Sequence, residues 1–61
     1  MRIMVVDDEE FCLTTLKFIL FNVGIDTEKQ VDFCITGLEA LDQLKRAYEQ
    51  QISYKLILTD F

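Results

Sequence analysis

An apolar run at the start of the chain stops abruptly at four acidic side chains. Residues 2–6 read Arg-Ile-Met-Val-Val, and residues 7–10 read Asp-Asp-Glu-Glu. An apolar run that does not alternate with polar residues is typical of a parallel strand covered on both faces. The chain must therefore place cover on both sides of this strand, which we predict at about residues 2–7.

The spacing of apolar residues after the acids predicts a helix at about residues 9–23, and Gly24 supplies the left-handed residue that commonly ends a helix. Its core-facing stripe is predicted to consist of Cys12, Leu16, Ile19, Leu20 and Val23. Four more apolar residues lie off this stripe: Phe11, Leu13, Phe18 and Phe21. Either the rest of the domain covers them or a partner helix does, and the sequence leaves both explanations open.

Alternating apolar residues predict an edge strand at residues 31–35. Thr36 and Glu39 then have the spacing of a capping box, in which two side chains satisfy backbone N–H groups at the start of a helix. We predict this second helix at about residues 37–50, with Asp42 and Arg46 paired on its solvent side. Its core-facing stripe is predicted to consist of Leu38, Leu41, Leu44 and Tyr48, helped by Ala40 and Ala47.

A third strand is predicted at about residues 55–60, and it ends on another acid, Asp60. The strand is apolar on both faces, which is typical of a central strand, so we expect it to present an uncovered apolar edge. Alternating strands and helices imply a parallel sheet with right-handed crossovers. Order 1-2-3 would put the alternating second strand in the middle, whereas order 2-1-3 puts the unalternating first strand there. The lack of alternation in the first strand favours order 2-1-3.

In order 2-1-3 the first and third strands are neighbours. Asp7, Asp8 and Asp60 then meet beyond the carboxyl ends of the strands, where open α/β sheets bind ligands. Carboxylates this close repel one another unless one keeps its proton or a cation neutralises them. Oxygen ligands with open positions suit Mg²⁺, and a carboxylate beside the metal can attack phosphorus and form an aspartyl phosphate. Helix capping is the alternative role for Asp7 and Asp8.

Three motifs in combination resemble the receiver domain of two-component response regulators. Residues 5–9 (Val-Val-Asp-Asp-Glu) are similar to the acidic end of the family's first strand. Residues 36–41 (Thr-Gly-Leu-Glu-Ala-Leu) resemble the Asn-Gly-x-Glu-Ala-Leu start of its second helix. Residues 56–60 (Leu-Ile-Leu-Thr-Asp) resemble its third strand with the phosphoacceptor, and the spacings agree over all 61 residues.

The resemblance implies a flavodoxin-like α/β fold, here a βαβαβ unit with a parallel sheet in order 2-1-3 and one helix on each face. It implies that Asp60 accepts a phosphoryl group from a phosphohistidine in a phosphorelay. The donor would be a sensor histidine kinase or a histidine phosphotransfer protein that docks near the first helix. Asp8 and Asp60 would bind Mg²⁺ directly, and Asp7 largely through water. Such a domain is a self-phosphorylating acceptor and not a turnover enzyme.

The resemblance covers the amino-terminal half of a receiver domain. In the family, a backbone carbonyl in the loop after the acceptor completes the metal site, and Phe61 alone represents that loop here. We therefore expect an incomplete phosphorylation site, and self-association of the segment through its third strand. Two alternatives remain. One is a degenerate receiver that serves as a dimerisation or docking module without phosphorylation. The other is a metal-dependent phosphohydrolase, although those enzymes usually carry Asp-x-Asp where the acids here are adjacent.

Composition argues against several classes of function. The 61 residues are 51% hydrophobic and carry a formal net charge of −5. The acidic balance argues against nucleic-acid binding, which needs clustered Lys and Arg. No apolar run reaches the ~18 residues of a transmembrane helix, and no signal peptide precedes the first strand, so we expect a cytoplasmic protein with no membrane partner. Cys12 and Cys34 are predicted to be buried side chains without a disulfide.

Overall fold

A computed structural model describes residues 2–59, which form three strands and two helices in alternation. The elements are β1 (Ile3–Val6), α1 (Glu10–Asn22), β2 (Val31–Cys34), α2 (Gly37–Glu49) and β3 (Leu56–Thr59). Neither helix combines the length and the apolar character that crossing a membrane requires, within residues 2–59.

The three strands form one parallel sheet in the order β2-β1-β3, as the strand patterns predicted. The unalternating strand β1 therefore lies in the centre. Its first residue, Ile3, is opposite Val31 of β2 and Leu56 of β3. Its last residue, Val6, is opposite Cys34 and Thr59 in the same way.

Successive residues of β1 point to opposite sides of the sheet. One helix covers each of these two faces. The cluster on the α1 side contains Ile3, Val5, Val31, Leu13, Leu16 and Leu20. The cluster on the α2 side contains Met4, Val6, Cys34, Ala40 and Leu44. All four residues of β1 are buried, which explains why their sequence shows no alternation.

The face that α1 turns toward the sheet differs from the predicted stripe. Leu13, which was predicted to lie off the stripe, packs against the core with Leu16 and Leu20. Ile19 and Val23, which were predicted to face the core, are exposed. The helix is apolar on nearly every side, so the spacing alone does not determine which series of residues packs.

The predicted stripe of α2 is confirmed only in part: Leu44 packs against the core, helped by Ala40 and Ala47 as predicted, but the other three members do not. Ala40 and Ala47 are buried, and Leu44 is half-buried. Alanine at the contact lets a helix backbone approach the sheet closely. The larger side chains that were predicted to be buried are instead exposed: Leu38, Leu41 and Tyr48.

The Thr36 cap and the ion pair predicted for α2 are present. The backbone N–H of Glu39 donates to Thr36 Oγ1 at 3.1 Å, and the backbone N–H of Ile35 donates to Glu39 Oε2 at 3.2 Å. The first bond is the Thr36 cap of the helix that starts at Gly37, and the second differs from the predicted capping box because Glu39 reaches the residue before the N-cap. On the solvent side, Arg46 pairs with Asp42 at 2.5 Å.

Strand β3 forms one edge of the described sheet and is poorly covered. Leu56 and Ile57, whose side chains point to opposite faces, are each 46% exposed. A strand with apolar residues on both faces is usually covered on both. Within residues 2–59, β3 therefore presents the uncovered apolar edge that the sequence predicted.

Candidate functional site

The carboxyl ends of β1 and β3 lie side by side and at the same level. Val6 and Thr59, the last residues of the two strands, are register partners. The backbone N–H of Asp7 donates to the Cys34 carbonyl at 3.0 Å, so the pairing with β2 extends one residue beyond β1. The first acid of the 7–10 run therefore belongs to the sheet edge itself.

Asp7 is the most constrained of the four acids. The residue is 5% exposed, and its Oδ1 accepts a hydrogen bond of 2.9 Å from the backbone N–H of Glu9. The Glu9 carbonyl in turn accepts bonds from the backbone N–H groups of Cys12 and Leu13, which open the first turn of α1. Asp7 thus orders the connection from β1 to α1 through a local Asx turn, and it does not cap the helix, whose N-cap residue is Glu9.

Asp8, Glu9 and Glu10 are exposed at the same edge. The two ion pairs among residues 2–59 are Arg2 with Asp32 and Arg46 with Asp42, so neither compensates these acids. Because acidic residues at 7–10 lie within one short connection, their charges repel one another. This edge of the sheet is therefore an attractive position for a cation.

The structure describes two of the three predicted metal ligands. Asp7 and Asp8 are adjacent at the carboxyl edge, whereas Asp60 lies outside the described residues. Residues 2–59 contain no group of three or more His, Cys, Asp or Glu side chains that could hold a metal ion. The donors that are present are all carboxylate oxygens, which fits Mg²⁺ and does not fit a metal that prefers sulfur or imidazole.

A cleft of about 460 Å³ opens beside Asp7, between α1 and β3. Its walls are mainly apolar and are formed by Val6, Phe11, Cys12, Leu16 and Leu58, with Thr15 and Thr59 as polar residues. A group that enters it would contact apolar side chains and approach one buried carboxylate. The arrangement suits the docking of a protein or ligand that presents positive charge to the acidic edge.

A second polar cluster, which the sequence did not reveal, lies at the amino edge of the sheet. Arg2 Nε and Nη2 donate to the two Asp32 oxygens at 3.1 and 2.8 Å, and the Tyr54 hydroxyl donates to Asp32 Oδ2. Burial, assisted by the bond to Asp32, raises the pKa of Tyr54 to about 12. The three residues come from distant parts of the sequence, so no local pattern marks them. Their groups satisfy one another, which indicates a structural role.

The two cysteines are not joined by a disulfide, as predicted. Cys34 is buried in the core on the α2 side, and burial raises the pKa of its thiol. A thiol with a raised pKa in an apolar environment is unreactive. This places Cys34 among the packing residues and outside any candidate site.

No family model, curated protein or solved structure that was compared with the chain matches it. The assignment of function therefore depends on the residues and geometry described above.

Proposed function

We propose that the chain is the amino-terminal part of a flavodoxin-like receiver domain, a phosphoacceptor of a two-component phosphorelay. The observation that carries the proposal is the register of β1 and β3. Val6 and Thr59 are partners, and each is followed in the sequence by an aspartate, Asp7 and Asp60. Parallel strands that end at one level direct the chain beyond them to the same edge, where α/β sheets bind ligands.

The proposed roles come from the resemblance to receiver domains, and the positions of Asp7 and Asp8 are compatible with them. Asp60 is the phosphoacceptor and a metal ligand. Asp8 is exposed, so its carboxylate can turn to bind Mg²⁺ directly. Asp7 is engaged by the Glu9 N–H and supports the ion largely through water. The ion supplies positive charge that offsets the repulsion between the carboxylates and an incoming phosphoryl group.

In the proposed reaction an Asp60 carboxylate oxygen forms a bond to phosphorus while the phosphorus–nitrogen bond of a phosphohistidine breaks. The products are an acyl phosphate on Asp60 and a histidine imidazole on the donor, which takes the electron pair of the broken bond. The donor is a sensor histidine kinase or a histidine phosphotransfer protein, docked near α1 and the cleft beside Asp7. The reaction is a single transfer in the cytoplasm, so the domain is not a turnover enzyme.

The test is phosphorylation by acetyl phosphate with and without Mg²⁺. The expected result is a hydroxylamine-sensitive acyl phosphate that requires Mg²⁺ and is lost in Asp60→Asn. Asp42→Asn removes an exposed carboxylate on α2 and serves as the matched control, which should still be labelled. Labelling that persists in Asp60→Asn would overturn the proposed acceptor. If the 61 residues alone are not labelled, the same assay is applied to the chain extended by its reading frame.

A second candidate function is dimerisation or docking without phosphorylation, and the exposed β3 edge favours it. Within the described sheet, β3 pairs with another strand on one side only. Leu56 and Ile57 leave apolar surface exposed on both of its faces. Such edges readily pair with another chain. Sedimentation should then show association that depends on protein concentration and ignores both Mg²⁺ and acetyl phosphate. Ile57→Lys should weaken this association, and a monomer at all concentrations would contradict it.

A further inference from the structure

The carboxylate of Asp7 is buried, and one of its two oxygens has no partner. Asp7 is 5% exposed, and its Oδ1 accepts the hydrogen bond from the Glu9 N–H. Within residues 2–59 the side chain makes no other hydrogen bond or ion pair. No fully buried side-chain oxygen or nitrogen in that range lacks a partner, so the second oxygen must be reachable from outside. The cleft between α1 and β3, which Asp7 lines, provides that access.

Apolar side chains surround this carboxylate. Phe11 and Leu16 line the cleft on the α1 side, and Leu58 lines it on the β3 side. Among residues 2–59, Asp7 is the only charged residue in the lining. The volume of about 460 Å³ lies within the range of small-molecule sites, which are mostly apolar with a few polar groups that orient the ligand. The cleft therefore has the size and composition of a small-molecule site with one anionic contact.

The second oxygen of Asp7 limits what can fill the cleft. A purely apolar occupant would cut this oxygen off from water without offering a donor, which is unfavourable. An anionic occupant would be repelled by the carboxylate. The amino end of α1 carries a partial positive charge, but Glu10 in the first turn of the helix offsets it. An occupant with a positively charged donor therefore satisfies both the oxygen and its charge.

The hydrogen bond to Oδ1 also distinguishes between kinds of cation. A guanidinium group binds a carboxylate best through two parallel bonds, one to each oxygen. Arg2 binds Asp32 in this way, because its Nε and Nη2 donate to the two Asp32 oxygens. In Asp7 one oxygen already accepts from the backbone, so this geometry is not available. A primary ammonium group is a compact charge on a flexible stem and can bind through the remaining oxygen alone.

We propose that the cleft between α1 and β3 is a binding site for a small hydrophobic primary amine. Its ammonium group donates to the second oxygen of Asp7, and its apolar part packs against Phe11, Leu16 and Leu58. Phe11 is 79% exposed, so its ring has apolar surface that the ligand can cover. The site requires neither Asp60 nor a metal ion, so the inference does not rest on the phosphoacceptor role.

The test is an NMR titration of the full 61-residue chain with 4-phenylbutylamine, in metal-free buffer without a phosphodonor. The alcohol 4-phenylbutanol and the anion 5-phenylpentanoate have the same apolar part and serve as comparisons. The amine should bind at least about tenfold more tightly than either, because it alone offers a charged donor. Its shifts should concentrate on the backbone amides of Val6, Cys12 and Leu58. Equal affinity for the three compounds, or no saturable shift up to about 10 mM amine, would overturn the proposal.

Matched variants test the charged contact. Asp7→Asn keeps an acceptor for the Glu9 N–H and should weaken amine binding about tenfold, because the charge is lost. Glu10→Gln removes an exposed charge outside the cleft and should change the affinity less than about twofold. Equal losses in the two variants would overturn the proposal, since the acidic edge as a whole would then attract the amine.

A second pair of variants tests the apolar contact. Phe11→Ala should weaken amine binding about threefold or more, because the ligand loses part of its apolar wall. Phe18→Ala removes an exposed ring of α1 outside the cleft and should leave the affinity unchanged. Circular dichroism establishes that all four variants remain folded. Equal losses in the two phenylalanine variants would contradict a site in the cleft. Amine affinity that falls as the chain concentration rises would identify a second copy as the occupant and would also reject the proposal.

Discussion

The Asp7 carboxylate accepts a hydrogen bond of 2.9 Å from the backbone N–H of Glu9, two residues further along the chain. This bond holds the connection between β1 and α1, at the edge where the proposed metal site lies. Asp7 therefore has a structural role and a proposed ligand role that a substitution can separate. The two roles require different properties, since the turn needs an acceptor oxygen and cation binding needs negative charge.

Asp7→Ala should lower the free energy of unfolding by about 1 kcal/mol, because the Glu9 N–H loses its hydrogen-bond acceptor. Asp7→Asn keeps an acceptor oxygen and should leave stability nearly unchanged while weakening Mg²⁺ binding. Urea unfolding with and without Mg²⁺ measures both effects, because a bound ion raises stability. Equal destabilisation by Asn and Ala would show that the hydrogen bond to Glu9 is not what Asp7 contributes.

Asp8→Asn should abolish the effect of Mg²⁺ without lowering the stability of the metal-free chain. Asp8 is exposed, so removing its charge should not lower stability in the absence of metal, and should slightly raise it by relieving repulsion among residues 7–10. The increase in unfolding midpoint that Mg²⁺ produces should disappear. Glu49→Gln, which removes an exposed acid at the end of α2, is the control and should keep the Mg²⁺ effect.

These two acids illustrate what the sequence could predict. The acidic end of β1 and the strand order followed from patterns of neighbouring residues, because a central parallel strand must be apolar on both faces. Which acid would be buried and hydrogen-bonded to the backbone did not follow. That outcome depends on the three-dimensional path after Val6, where the Asp7 N–H pairs with β2 and its carboxylate turns back to Glu9.

The helix faces show a second limit of sequence analysis. Both helices were predicted in the right order, but the residues through which each helix packs agree only in part with the predicted stripes. In α1 apolar residues surround the axis, so several stripes fit equally well. In α2 the leucine stripe looked more apolar than the alanines, yet Ala40 and Ala47 make the close contact. A stripe chosen by hydrophobicity alone takes no account of how closely the helix backbone approaches the sheet. The Arg2–Asp32–Tyr54 cluster escaped prediction for a related reason, since its members meet only in the fold.

The packing of α2 through alanine predicts an unusual order of mutational sensitivity. Ala40→Leu should destabilise the fold by about 1–3 kcal/mol, because added atoms overpack a contact with the sheet. Leu41→Ala should change stability by less than about 0.5 kcal/mol, since Leu41 is exposed. Chemical unfolding measures both. If the leucine stripe were the buried one, Leu41→Ala would instead cost about 2–5 kcal/mol.

The Tyr54 hydroxyl, which donates to Asp32, predicts a loss of stability at alkaline pH. Burial, followed by the hydrogen bond to Asp32, raises the pKa of Tyr54 to about 12, whereas an unfolded tyrosine ionises near pH 10. Between these values the folded chain keeps a proton that the unfolded chain has lost, so the free energy of unfolding falls as pH rises. The stabilising contribution is complete below about pH 10 and is lost as pH approaches 12.

Tyr54→Phe removes both the hydrogen bond and the titrating group. It should cost about 1–2 kcal/mol near pH 7, where the bond to the Asp32 carboxylate is intact, and should flatten the decline above about pH 10. Urea unfolding at intervals of pH measures both effects. Tyr48→Phe removes an exposed hydroxyl that has no contact with Asp32, so the steep decline should survive this control. A decline that is equally steep in Tyr54→Phe would mean that another group causes it, and that the Arg2–Asp32–Tyr54 cluster does not link folding to pH.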